Sequence, residues 1–126
     1  MKYTLKEIDF NQYEELANRF NPNVRPRDNN IYTYFAIIED GQILGIRTAY
    51  ESRTFSKAVQ FYINPIYRAR TFYIMKNIIR SIIEDRIYKG FYSPRMIKLI
   101  SLWKDIEISI DDSIITIEKI ERDDNE

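Results

Sequence analysis

The chain has no cysteine and no histidine among its 126 residues. Without cysteine there is no disulfide frame, no thiolate zinc site and no thiol nucleophile. Without histidine, Ser-His-Asp catalysis and imidazole metal ligation are excluded. Proton transfer in any reaction falls to tyrosine, a carboxylate, lysine, a chain terminus or water. Acidic residues pair at Asp111-Asp112 and Asp123-Asp124, which read as turn and tail solvation, so no metal site is expected. No apolar run approaches the roughly 20 residues that cross a bilayer. The first residues carry no signal-peptide pattern, and the expectation is a cytoplasmic protein with no membrane partner.

What is present fits a soluble globular chain, with 44% hydrophobic and 30% charged residues. The length suits one domain over 1–120, followed by a polar acidic tail over 121–126. High usage of isoleucine, tyrosine, asparagine and lysine fits an AT-rich coding source, a composition shared by small virus- or mobile-element-encoded proteins. The net charge of zero conceals segregation. Residues 1–46 carry −2, residues 47–104 carry +9 and residues 105–126 carry −7. A basic centre suits a phosphate-bearing ligand or a nucleic acid, unless the acidic end folds back on it.

The chain centres on residues 58–90. Residues 58–64 read as a strand, Pro65 punctuates it, and a basic turn follows over 67–71. Phe72, Met75, Ile78, Ile79, Ile82, Ile83 and Ile87 then recur at three- and four-residue steps, one apolar stripe of a helix with Gly90 as its stop. A strand feeding a helix N-terminus through a turn aims free backbone N–H groups at one point, which favours an anion. The basic turn makes that point positively charged.

Around that centre, residues 2–9 read as a strand. Asp9 or Asn11 caps a short helix with Leu16, Ala17 and Phe20 on its apolar side. Residues 21–30 form a loop rich in asparagine and proline. Asp40-Gly41 sits between two apolar runs as a hairpin turn, and residues 51–56 form a polar turn. Residues 96–102 read as a strand, and residues 106–117 as a second hairpin turning at Asp111-Asp112.

This order, together with two motifs, resembles the GNAT N-acetyltransferase fold. Ile63, Pro65, Tyr67 and Arg68 match the family's V-x-P-x-Y/F-R/Q run. Residues 35–45 look like its apolar strand, acidic-Gly turn and apolar-Gly strand. The resemblance implies an α+β fold, with a mixed, mostly antiparallel central sheet of about six to seven strands flanked by two helices. It implies acetyl-CoA or CoA as cofactor. Phe61, Tyr62 and Ile63 would pair with the pantetheine arm, and Arg68, Ala69, Arg70, Thr71, Phe72 and Tyr73 would form the pyrophosphate loop. The chain departs from the family where Thr71 and Tyr73 replace both loop glycines. The Thr71 hydroxyl would then donate to a phosphate, and the Tyr73 ring would turn into the core. The helix that follows the family's fifth strand looks absent or reduced to one turn. Gln60 or Tyr62 stands where the family often has a carboxylate, and Glu51 is the nearest acid upstream. Tyr88 and Tyr92 are candidate acids, so the catalytic residues stay unassigned.

Three functions follow. The first is a divergent acyl-CoA N-acyltransferase acting on a small-molecule or protein amine. The second is the same fold without catalysis, binding a protein partner through an aromatic patch of Tyr67, Phe72 and Tyr73. The third is a nucleic-acid-binding module that uses Arg47, Arg53, Lys57, Arg68, Arg70, Lys76 and Arg80 among tyrosines. The last hairpin offers an edge for a homodimer.

Overall fold

The computed structural model describes residues 3–120; the expected acidic tail lies outside them. Strand β1 (Thr4–Ile8) leads into helix α1 (Phe10–Phe20). The Asp9 side chain accepts from the Gln12 N–H at 2.8 Å, and the Gln12 side chain accepts from the Asp9 N–H at 3.2 Å. This capping box satisfies two groups that a helix start leaves open. Strands β2 (Thr33–Glu39) and β3 (Gln42–Glu51) form a hairpin. Its turn holds Asp40 at φ 50° and Gly41 at φ 79°, left-handed values that favour asparagine, aspartate and glycine.

Strand β4 (Phe55–Ile63) runs beside β3 and then enters a 3-10 turn (Pro65–Arg70) and helix α2 (Thr71–Ile83). Strand β5 (Ile87–Phe91), helix α3 (Pro94–Ile100) and the hairpin β6 (Ile106–Asp111) and β7 (Ile114–Lys119) complete the chain. The seven strands form one sheet in the order β1-β2-β3-β4-β5-β7-β6. All neighbours are antiparallel except β4 and β5, whose parallel pairing requires the α2 crossover. Helix α1 covers one face through Tyr13, Leu16, Ala17 and Phe20. Helices α2 and α3 share the other face with Ile37, Leu44, Ile115 and Ile117. The expected α+β architecture is present, with a third helix added.

Three expectations fail on this side of the chain. Ile87 and Gly90 belong to β5, not to the central helix. That helix ends at Ile83, where the Ile82 carbonyl accepts the N–H of both Asp85 and Arg86. Ile87 keeps the four-residue spacing but faces a strand partner, Phe55. Residues 96–102 are mostly helix, because Ser93 caps the Met96 N–H and Pro94 takes the first helical position. The helix after the fifth strand is therefore present, at seven residues, and carries no tyrosine. The polar turn expected over 51–56 shrinks, since Glu51 ends β3 and Phe55 begins β4.

Candidate functional site

Strands β4 and β5 pair over only three positions, Phe55↔Ile87, Ser56↔Tyr88 and Lys57↔Lys89. Beyond Lys57 the two diverge, and β5 continues along β7 alone. One edge of β4 is therefore left without a strand partner over residues 58–63. On the other edge Thr48 faces Gln60 while Ala49 faces Ala58, so Val59 is the extra residue of a β-bulge. A bulge bends the strand and increases its local twist. An unpaired edge presents backbone N–H and C=O groups to any extended ligand.

Beside that edge lies a cavity of about 280 Å³. The β4 residues Ala58 to Phe61 form one wall, the α2 residues Met75, Ile78 and Ile79 a second, and Tyr88 and Phe91 of β5 a third. Arg47 reaches into it from β3. A second cavity of about 250 Å³ borders Phe61 and is lined by Phe20 and Asn21 at the end of α1 and by Tyr62, Ile63, Pro65, Arg68 and Thr71. Phe61 lines both. One strip along β4 thus runs from the buried space at Tyr88 to the turn before α2.

The turn divides the residues expected to form a phosphate loop. Arg68 is exposed, lines the second cavity and has no ion-pair partner among the described residues. Ala69 is exposed beside it. The Thr71 hydroxyl donates to the Arg68 carbonyl at 2.7 Å, locking the turn from within instead of reaching outward. No side chain caps the start of α2. Arg70 turns the other way. Its guanidinium meets both Glu39 oxygens, at 3.0 and 3.1 Å, donates to the Tyr3 hydroxyl and lies over the rings of Tyr3 and Tyr67. Tyr73 does not enter the core as expected. It is 59% exposed and meets Tyr3 edge-on, with centroids 6.3 Å apart, because α2 turns its Ile74 face inward. Phe72 is half-buried under the Arg95 guanidinium, 4.3 Å from the ring centroid, which ties α3 to the first turn of α2. Of Tyr67, Phe72 and Tyr73, only Tyr73 is exposed, so no aromatic patch gathers there.

The candidate acids and bases also separate. The Glu51 carboxylate is held by Arg47, Arg86 and the Ser56 hydroxyl. Gln60 accepts from the Tyr13 hydroxyl at 3.3 Å. Tyr92 is exposed. Tyr88 is buried against the cavity, and burial pushes its phenol above the ordinary value although Arg47 acts the other way. It stays protonated at neutral pH and can donate a hydrogen bond or a proton there.

Met75, Ile78, Ile79 and Phe91 were not readable as site residues, and Arg47 was expected only as a contact to nucleic acid. The one available signal was a lone arginine inside the apolar run Leu44-Gly45-Ile46-Arg47. The basic centre is largely spent internally. Arg47 is buried, Arg70 is paired with Glu39, and Arg80 is held by Asp105 and Glu84. Of the seven basic residues named for nucleic acid, Arg53, Lys57 and Arg68 remain exposed. No described helix is long and apolar enough to cross a membrane, and no group of metal-ligating side chains occurs among the described residues.

No protein-family model matches the chain, and no curated protein matches it. Solved structures do. The N-acetyltransferase PseH of Campylobacter jejuni, in complex with acetyl coenzyme A, superposes with a TM-score of 0.53 at 15% identity, covering 91% of this chain and 96% of PseH. YhhK of Escherichia coli, bound to coenzyme A, gives 0.58 at 12% identity over 96% of this chain and all of YhhK. A GNAT-family protein of Bacteroides thetaiotaomicron gives 0.59 at 14% identity, over 97% of this chain and 89% of its own. At such identities the likeness speaks for architecture alone, and the architecture of this chain is the GNAT N-acetyltransferase fold.

Proposed function

We propose that the chain is an acyl-CoA-dependent N-acyltransferase that binds its donor along the open edge of β4. The observation that carries this reading is the divergence of β4 from β5 after Lys57, which leaves residues 58–63 unpaired beside a cavity of about 280 Å³. The pantetheine arm is an extended chain of amides and suits such an edge. The coenzyme A bound to YhhK and the acetyl coenzyme A bound to PseH support the same ligand class here. Arg68, beside Thr71 at the uncapped start of α2, supplies a free guanidinium for the pyrophosphate. Arg70 is engaged by Glu39 and takes no part.

The chemistry asks little of side chains. The acceptor amine attacks the thioester carbonyl, a C–N bond forms, the C–S bond breaks, and coenzyme A leaves as the thiol. Positioning and backbone hydrogen bonds supply most of the acceleration in such a site. Tyr88 is the candidate acid for the departing sulfur, since its protonated hydroxyl belongs to a residue that lines the cavity. No carboxylate lines the cavity, so the acceptor arrives as the free amine or loses its proton to water.

Thermal unfolding with added acetyl-CoA tests the reading. A ligand at 100 times its Kd stabilises by about 2.7 kcal/mol, which moves the midpoint of a domain this size by several degrees. Arg68→Ala is expected to weaken binding about tenfold, the loss of one charge-assisted contact. An unmoved midpoint at millimolar acetyl-CoA rejects the assignment.

A further inference from the structure

The floor of the β4–β5 cavity carries a buried guanidinium whose one carboxylate partner is shared. Arg47 is 2% exposed and is the only charged side chain lining that cavity. Its guanidinium donates to the Ser56 hydroxyl at 3.0 Å and to one Glu51 oxygen at 3.4 Å. The second contact is long beside the 2.7–2.9 Å of a good charge-assisted hydrogen bond. The other Glu51 oxygen is engaged by Arg86, and the Ser56 hydroxyl donates to Glu51 at 2.7 Å. Glu51 therefore serves two guanidinium groups, and Arg86 takes a second, longer contact from the exposed Asp85 at 3.6 Å, so the cluster balances in charge while Arg47 itself holds only its long contact to Glu51. A guanidinium has five N–H donors, and those of Arg47 meet only these two side chains. Burial works against the charged form, yet the group stays protonated at neutral pH. The remaining lining is apolar apart from Gln60 and the Tyr88 hydroxyl.

A buried cation whose nearest carboxylate is shared and 3.4 Å away gains from a second anion. The pocket is the inner end of the strip that, on the acyl-CoA reading, holds the pantetheine arm. It lies toward the closed end of the diverging strands, where an acyl chain extending beyond the thioester arrives. We infer that this cavity accepts a carboxylate at the far end of the acyl chain, so that the donor is a dicarboxylic thioester of the malonyl or succinyl class. The inference rests on the acyl-CoA reading and goes further by naming the group transferred. The reaction balances as before: the C–N bond forms, the C–S bond breaks, and coenzyme A leaves as the thiol. The terminal carboxylate travels unchanged, so an acceptor amine that was cationic becomes an anionic amide.

Calorimetry without acceptor separates the two ideas, because only the acyl chain then supplies a carboxylate. The ligands are CoA, butyryl-CoA and succinyl-CoA, the last two matched in chain length. The expected result is binding of all three, with succinyl-CoA tighter than butyryl-CoA by about tenfold or more. Arg47→Gln is expected to bring that ratio to about one, and Arg47→Lys, which keeps the charge, to leave it above one. Circular dichroism confirms that each variant folds; should the glutamine variant fail, the wild-type ratio and the lysine variant still decide. Binding of CoA with butyryl-CoA equal to or tighter than succinyl-CoA overturns the inference and leaves the acyl-CoA reading standing. A preference that survives in folded Arg47→Gln also overturns it. Absence of any CoA binding removes both.

Discussion

Tyr88 owes its position to the glycine two residues later. A Cβ on Gly90 would stand 2.4 Å from the Tyr88 hydroxyl oxygen and 2.8 Å from two ring carbons, so the bare backbone of Gly90 is the shelf on which the phenol lies. The backbone at Gly90 has ordinary strand geometry, which makes the requirement one of space alone. Two substitutions separate the ring from its hydroxyl. Tyr88→Phe keeps the packing and removes the proton donor; turnover is expected to fall about a hundredfold, within the range of general-acid contributions, with little change in melting temperature. Gly90→Ala drives the ring from its shelf and is expected to lower turnover together with stability, the latter by about 1–3 kcal/mol, as overpacking does. Steady-state rates and denaturant midpoints read the two effects separately. Equal turnover in wild type and Tyr88→Phe removes the hydroxyl from the chemistry.

At the scale of elements, local chemistry decided what was legible. The Asp9–Gln12 capping box and the Asp40-Gly41 turn are complete within a few residues, so α1 and the β2–β3 hairpin could be read directly. Asp9→Ala is expected to cost about 1 kcal/mol, seen as a shift in denaturant midpoint without a change in slope. The stretch after α2 was not legible, because Ile83 and Ile87 keep helical spacing across a helix end that is set by the Ile82 carbonyl. Met96, Ile97 and Ile100 fit a strand or a helix equally well, and the Ser93-Pro94 start that decides for helix lies just outside the apolar run. The open strand edge could be expected only through the motif at Ile63, Pro65, Tyr67 and Arg68. Its floor could not, since Arg47, Ser56 and Arg86 meet around Glu51 only once β4 and β5 have paired. The loop residues show the same limit: two arginines separated by one residue on one turn face different ways, because Glu39 of β2 and Tyr3 just before β1 claim Arg70.

At the scale of the whole molecule, the absence of histidine and the burial of tyrosine together set the response to pH. No histidine titrates between pH 5 and 8. On the acid side, hydrogen bonds and charge from Arg80 hold the half-buried Asp105 carboxyl down at about 2, and Lys119 lowers Glu84. Their support is present above the ordinary carboxylate range and fades as pH falls toward 2. The alkaline side belongs to the phenols. Burial pushes Tyr13 up to about 12 and raises Tyr3 and Tyr88 as well. A phenol whose folded value exceeds its unfolded value near 10 stabilises fully below pH 10. Above that the unfolded chain gives up its proton first, and stability drops from pH 10 toward 12. Tyr13 lies in the cluster on the α1 face while Tyr3 and Tyr88 lie in the cluster on the other face, so alkaline loss comes from both sides of the sheet. The melting temperature is therefore expected to stay level from about pH 6 to 9 and to fall steeply above about 10. Tyrosinate absorbance followed along the same series is expected to show some of the ten tyrosines ionising only on unfolding. Titration of all of them together near pH 10, with an unchanged melting temperature, contradicts the buried placement of Tyr13 and Tyr88, and with Tyr88 the floor of the proposed acyl cavity.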